Sequence, residues 1–148
     1  MKLLNYLTAM VIVLAAIIAT IFAAGNLIKA FIDFLSLLVI LLYALPMLIG
    51  TFGWKNFWGS FALAFSKDEG LPEEYARAAE VVTSAGRQIY LGAALATFIG
   101  FIGIFSFSSP DILKETSNFS VALLGIFYGM IINLILIEPI RAYLKSKS

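Results

Sequence analysis

The sequence predicts an all-α integral membrane protein with four transmembrane helices. Of its 148 residues, 61% are hydrophobic and only 13% are charged, a composition typical of membrane proteins. The hydrophobic residues form four long runs, each near the roughly 20 residues that a helix needs to cross a bilayer. The charged residues lie at the ends of these runs or between them.

The four runs make up a single membrane domain, 1–148. They predict spans at about 3–24, 34–52, 88–108 and 119–138, with a segment at about 53–87 between the second and the third. The first run is longer than the roughly 7–15 apolar residues of a signal peptide. We therefore expect it to be a retained membrane helix.

The segment at 53–87 is predicted to be mostly helical. Aromatic residues at three- or four-residue spacing from Trp54 to Phe65 indicate that the second helix continues past the membrane. Pro72 followed by Glu73 and Glu74 is a favourable helix start. A helix from there to about Ser108 would be roughly 55 Å long, so its first part, to about Arg87, must extend into water.

The fourth run is predicted to end at Glu138 and Pro139. A carboxylate favours the water boundary, and proline lacks the N–H that a continuing helix needs. The residues at about 108–118, before this run, are polar and predict a loop.

The distribution of Lys and Arg predicts the orientation. With four spans, both termini and the segment at 53–87 share one side, which holds eight basic residues: Lys2, Lys55, Lys67, Arg77, Arg87, Arg141, Lys145 and Lys147. The other side holds two, Lys29 and Lys114. By the positive-inside rule both termini and the extended third helix are cytoplasmic, and the expected location is a bacterial inner membrane.

Several function classes are disfavoured. The chain has no Cys and no His, which removes disulfides, thiolate or imidazole catalysis and the usual zinc ligands. No nucleophile and base pair is evident, so we expect neither an enzyme nor a bound metal or cofactor. The net charge of +1 offers no basic surface for nucleic acid.

Small residues recur every four positions in the last two spans. They are Gly92, Ala96 and Gly100 in the third and Gly125 and Gly129 in the fourth. Such rows allow membrane helices to approach closely. We expect these helices to pack against protein and to form the contacts of an oligomer.

Three polar side chains lie within the spans: Thr97, Tyr128 and Asn133. One interpretation is that each only bonds its own helix or a neighbour. The other is that Thr97 and Asn133 face a shared polar seam that ions follow. No charged residue lies deep in a predicted span, whereas a proton relay needs titratable groups at depth.

The chain resembles the MotA/TolQ/ExbB proton-channel family. The fourth span reads SVALL from Ser120, then Tyr128-Gly129 and Pro139-Ile140, similar to the family pattern AVALL..LYG…LPI. The stretches FID and SLL that open the second span and Ala96-Thr97 with Gly100 in the third also resemble family segments.

The resemblance implies a homo-pentamer around a single-span partner whose membrane Asp carries the ion. The complex would couple ion flow to mechanical work. Thr97, Tyr128 and Asn133 would then belong to the ion pathway, and Glu138 and Pro139 to its cytoplasmic exit.

Two departures from the family pattern leave an alternative open. The threonine expected in the fourth span is replaced, with Gly125 and Ile126 at that place, and the cytoplasmic segment is short. The alternative is a structural membrane scaffold with the same ring-forming surfaces and no ion flux.

Overall fold

The computed structural model describes residues 3–23, 25, 31–66, 70–106 and 112–148. These residues form helices and short connections, and no strand occurs among them. The helices are α1 (Leu3–Ala23), α2 (Phe34–Phe52), α3 (Trp54–Phe65), α4 (Pro72–Ser106), α5 (Ile112–Ile132) and α6 (Glu138–Lys145). A π-helical turn, Asn133–Ile137, joins α5 to α6. The prediction of an all-α protein is confirmed.

Three helical segments in the described part of the chain are long and apolar enough to cross a membrane. They are Phe34–Phe52, Pro72–Ser106 and Asn118–Lys145. The first predicted span is also helical, and its apolar segment Thr8–Ala23 is shorter. The structure thus has the character of a helical membrane protein.

Helix α4 lies at the centre of the bundle. It packs against α2, α3, α5 and α6, and it buries small residues such as Ala85 and Ala93 along its length. The largest fully buried side chains come from three helices: Ile40, Leu48, Val82 and Leu144. We call the end of the bundle where α4 begins and α6 lies the inner end, and the end where α4 finishes and α5 begins the outer end.

The contacts of α4 show which residues of α2 and α5 lie beside each part of its length. Gly92 lies against the backbone of Ile40 in α2, and Gly100 lies against Ala122 in α5. Because α2 runs antiparallel to α4, its first turn comes to lie near Ile99 and Gly100, with which Asp33 lines one groove. The start of α2 is therefore below the outer end of α4.

The expected continuation of the second helix past Phe52 is wrong. Gly53 has φ 79° and ψ 154°, a conformation that glycine adopts without a Cβ clash. It ends α2 and starts α3 in a new direction. Helix α3 then buries Phe57, Ser60 and Ala64 in the bundle.

The predicted loop before the last helix and the predicted end of that helix need correction. The expected loop at about 108–118 includes residues outside the description, but its part from Ile112 onward is already α5. At the other end the helix does not stop at Glu138 and Pro139. The N–H of Glu138 donates to the carbonyl of Asn133, five residues back, and this wider turn lets Pro139 start α6, where its missing N–H is tolerated.

Candidate functional site

Thr97 joins α4 to α5. The side chain is 8% exposed, and its Oγ1 accepts a hydrogen bond of 3.0 Å from the backbone N–H of Ile126. This approach requires Gly125, because a Cβ there would lie 2.8 Å from Thr97 Oγ1. The hydroxyl is thus part of the helix interface and does not line an open channel within this one chain.

The other small residues of the two predicted rows lie in contacts inside the chain. Gly129 packs on Ala93, and Gly100 packs on Ala122, both between α4 and α5. Gly92 faces α2 instead, with the Ile40 carbonyl 3.1 Å from the place of a Cβ. Ala96 is buried as well. These rows hold one chain together, so a contact between copies must use other residues.

Tyr128 fastens the start of α2. Its hydroxyl donates to the Phe31 carbonyl at 2.7 Å and accepts the N–H of Asp33 at 2.5 Å. The Phe31 and Phe127 rings pack beside this contact, with centroids 5.6 Å apart. The role of Tyr128 within the chain is to hold α2 against α5.

Asp33 is the N-cap of α2. Its carboxylate accepts the backbone N–H groups of Leu35 and Ser36 at 3.1 and 3.3 Å, and the Ser36 hydroxyl donates to it at 2.5 Å. A carboxylate at this position satisfies the free N–H groups of the first turn and complements the helix dipole. The local sequence therefore explains why α2 begins here.

The sequence places Asp33 directly before the second apolar run, and the structure shows it at the start of α2, beside α4 and α5. It lines a groove whose α4 side runs from Ala96 to Ile104, so the carboxylate lies beside the last three turns of α4. The groove at this place has a volume of about 470 Å³, and its polar lining is Asp33, Ser36 and Asn118. No local signal could have shown this, since run length and periodicity do not give the relative height of two helices.

Asn133 lies at the inner half of the α4–α5 interface. It is 3% exposed, and its Nδ2 donates to the carbonyl of Gly129 at 2.9 Å, while its Oδ1 faces Gly86. Gly86 is eleven residues from Thr97 on α4, or about 16 Å. The structure does not bring Thr97 and Asn133 together, so they form no shared seam in this chain.

At the inner end, Glu138 and Arg141 form an ion pair of 2.7 Å. They are partly exposed and three residues apart on α6, so the pair contributes about 0.2–1 kcal/mol at most. Pro139 lies next to Glu138, where the π-helical turn passes into α6.

The described residues hold no group of three or more carboxylates that would bind a metal ion. One buried polar atom is unsatisfied in this part of the chain, the Oε1 of Gln88 on α4. Such an atom costs stability. Polar side chains line open grooves beside Asp33 and at the inner end.

The sequence matches no protein-family model, and no curated protein matches it.

Proposed function

We propose that this protein is the ring-forming subunit of an ion-conducting complex in the bacterial inner membrane. It works with a single-span partner that supplies the ion-carrying carboxylate, and ion-motive force is coupled to mechanical work. The resemblance to the MotA/TolQ/ExbB family supports this function and a homo-pentamer.

The observation on which the proposal rests is the distribution of charge along α4 and α5. The stretches at 88–106 and 119–137 contain no charged residue, although transfer of a cation through a bilayer needs charged or titratable groups at depth. Asp33 lies beside these stretches, but three hydrogen bonds hold it as a helix cap. Glu138, which follows the second stretch, is paired with Arg141. A mobile ion therefore needs a carboxylate from a second polypeptide.

The exposed face of α4 supports assembly with further chains. Phe98 and Ile102 are each 63% exposed and Phe105 is 72% exposed, while Gly92 and Ala96 of the same helix are buried within the chain. In a ring, this apolar face meets the partner, a second copy or lipid. Thr97 would border the ion path when the partner loosens its contact with Ile126.

The test is flux through the assembled complex. The chain is co-expressed with a single-span protein that is encoded beside it and has an Asp in its span, and the complex is reconstituted into vesicles. We expect proton or sodium leak that is lost when the partner Asp is changed to Asn. Thr97→Val should reduce the leak at least tenfold, whereas Thr97→Ser, which retains the hydroxyl, should keep most of it.

A structural scaffold is the second candidate. In its favour, Gly125 occupies the place where the family has a second hydroxyl, and Thr97 Oγ1 fills the space beside it. An assembled complex with tight vesicles would support the scaffold and overturn the channel. A native mass equal to one chain would overturn both.

A further inference from the structure

A pocket at the inner end of the bundle has the composition of an anion site. Its volume is about 320 Å³, and it lies between α4, the π-helical turn and α6. The polar side chains that line it are Thr83, Arg87, Tyr90, Asn133, Glu138 and Arg141. It is separate from the Asp33 groove and from the contact of Thr97 with α5.

The charges in this pocket leave an excess of one cation. Glu138 is paired with Arg141 at 2.7 Å, and Arg87 has no ion-pair partner within the described ranges. The hydroxyl of Thr83 already donates to the Ala79 carbonyl, and the amide of Asn133 donates to Gly129. The available donors are thus Arg87, the remaining N–H groups of Arg141, the second N–H of the Asn133 amide and the Tyr90 hydroxyl, which together suit a phosphate.

The pocket lies at the boundary of the apolar part of both helices. Arg87 is the last charged residue before the uncharged stretch at 88–106, and Glu138 is the first after that at 119–137. Two helices of opposite direction thus reach their polar boundary at one pocket. This is the level at which lipid headgroups lie, and Tyr90 is of a residue type enriched there.

An exposed apolar track leads from this pocket toward the outer end. Leu91, Phe98 and Ile102 are exposed and follow Arg87 by four, eleven and fifteen residues, which places them on one stripe of α4. From Leu91 to Ile102 the track is about 16 Å long. Met130 on α5 and Leu134 in the π-helical turn are exposed as well. A free phosphate has no apolar surface that could pack on this track. The acyl chain of a lipid does, and it would bury its apolar surface there.

We propose that this pocket binds the phosphate of an anionic phospholipid. Arg87 and Arg141 hold the headgroup, and an acyl chain lies along the α4 track. Glu138 competes with the phosphate for Arg141. Lipid binding at this site does not require ion flux, so the experiment below can fail or succeed independently of the test of the proposed function.

The experiment measures lipid retained by the detergent-extracted protein, using native mass spectrometry during titration. The probes are phosphatidylglycerol and, at equal acyl composition, phosphatidylcholine. Glycerol phosphate is added in excess as a soluble competitor with the same headgroup chemistry. The variants are Arg87→Gln and Glu138→Gln, and Lys55→Gln on α3 is the matched control for loss of one positive charge.

We expect phosphatidylglycerol to bind in preference to phosphatidylcholine. Arg87→Gln should weaken its binding by about tenfold, since a hydrogen bond to a charged group is lost, and Lys55→Gln should leave it unchanged. Glu138→Gln should strengthen binding severalfold, because Arg141 becomes free. That increase tests the site even if Arg87→Gln does not fold.

Three results would overturn the proposal. One is equal retention of the two lipids. Another is that Arg87→Gln and Lys55→Gln bind phosphatidylglycerol equally well and that Glu138→Gln binds it no more tightly than the parent protein. The third is displacement of the lipid by glycerol phosphate, which would identify a site for a free anion.

Discussion

The hydroxyl of Tyr128 bridges α5 and the residues just before α2, because it donates to the Phe31 carbonyl and accepts the N–H of Asp33. Both backbone groups lie before the first residue of α2, so neither is bonded within that helix. One side chain therefore fixes where α2 begins relative to α5. In an apolar bundle such a contact also fixes the height of the Asp33 carboxylate.

Tyr128→Phe tests this contact. The ring still fills its place, but two backbone groups lose their partner, so we expect the free energy of unfolding to fall by about 1–3 kcal/mol. Thermal unfolding in detergent, followed by circular dichroism, measures the change. Tyr143→Phe is the control, since no hydrogen bond of the Tyr143 hydroxyl is seen in the described part of the chain. Equal melting temperatures for the two variants would contradict the assigned role.

Two substitutions of Asp33 distinguish its role as a hydrogen-bond acceptor at the N-cap from the effect of its charge. Asp33→Ala removes the acceptor for the N–H groups of Leu35 and Ser36, so we expect a loss of about 1 kcal/mol, as for other N-caps. Asp33→Asn keeps a capping oxygen and should lose less than half of that. Denaturation of both variants in the same detergent provides the comparison. If Asn is as destabilising as Ala, then the charge and not the cap is what α2 requires.

Gly125→Ala should disrupt the α4–α5 interface. The added Cβ would lie 3.0 Å from the Thr97 backbone nitrogen and 3.1 Å from the Ala93 carbonyl oxygen, and backbone atoms cannot move aside alone. We expect a loss of about 1–3 kcal/mol, as for other overpacked sites. Gly103→Ala is the control, because its Cβ meets nothing within 4 Å. The interpretation fails if both variants unfold at the temperature of the parent protein.

The break between α2 and α3 depends on Gly53. Its φ of 79° is unfavourable for alanine, so Gly53→Ala should cost about 1–3 kcal/mol. Gly50→Ala, three residues earlier within α2, adds a Cβ in open space and should stabilise the helix by about 0.5–1 kcal/mol. The two melting temperatures should therefore move in opposite directions. A stabilised Gly53→Ala would mean that the two helices can join into one.

The local features of the sequence predicted much of the helical framework. The apolar run at 34–52 coincides with α2, whose start is set by its cap and whose end is set by Gly53. Pro72 with its two glutamates marks the start of α4. Hydrophobic periodicity did not distinguish one long helix from α2 followed by α3, because it does not register a single residue with positive φ. Nor did it show that a π-helical turn carries the chain past Pro139.

Other features depend on how side chains of distant segments interlock. From the sequence alone, Gly92 and Gly100 belong to one row, yet the first faces α2 and the second faces α5. Thr97 and Asn133 are both polar residues of neighbouring spans, but they contact α5 and α4 at different levels along the bundle: Thr97 lies against Gly125 and Asn133 against Gly86. Asp33 precedes an apolar run, and in the fold it lines a groove against the last turns of α4 and against α5. Helix formation was readable in the sequence because it depends on neighbours three or four residues away, whereas the shift of one helix along another is decided only when their surfaces pack.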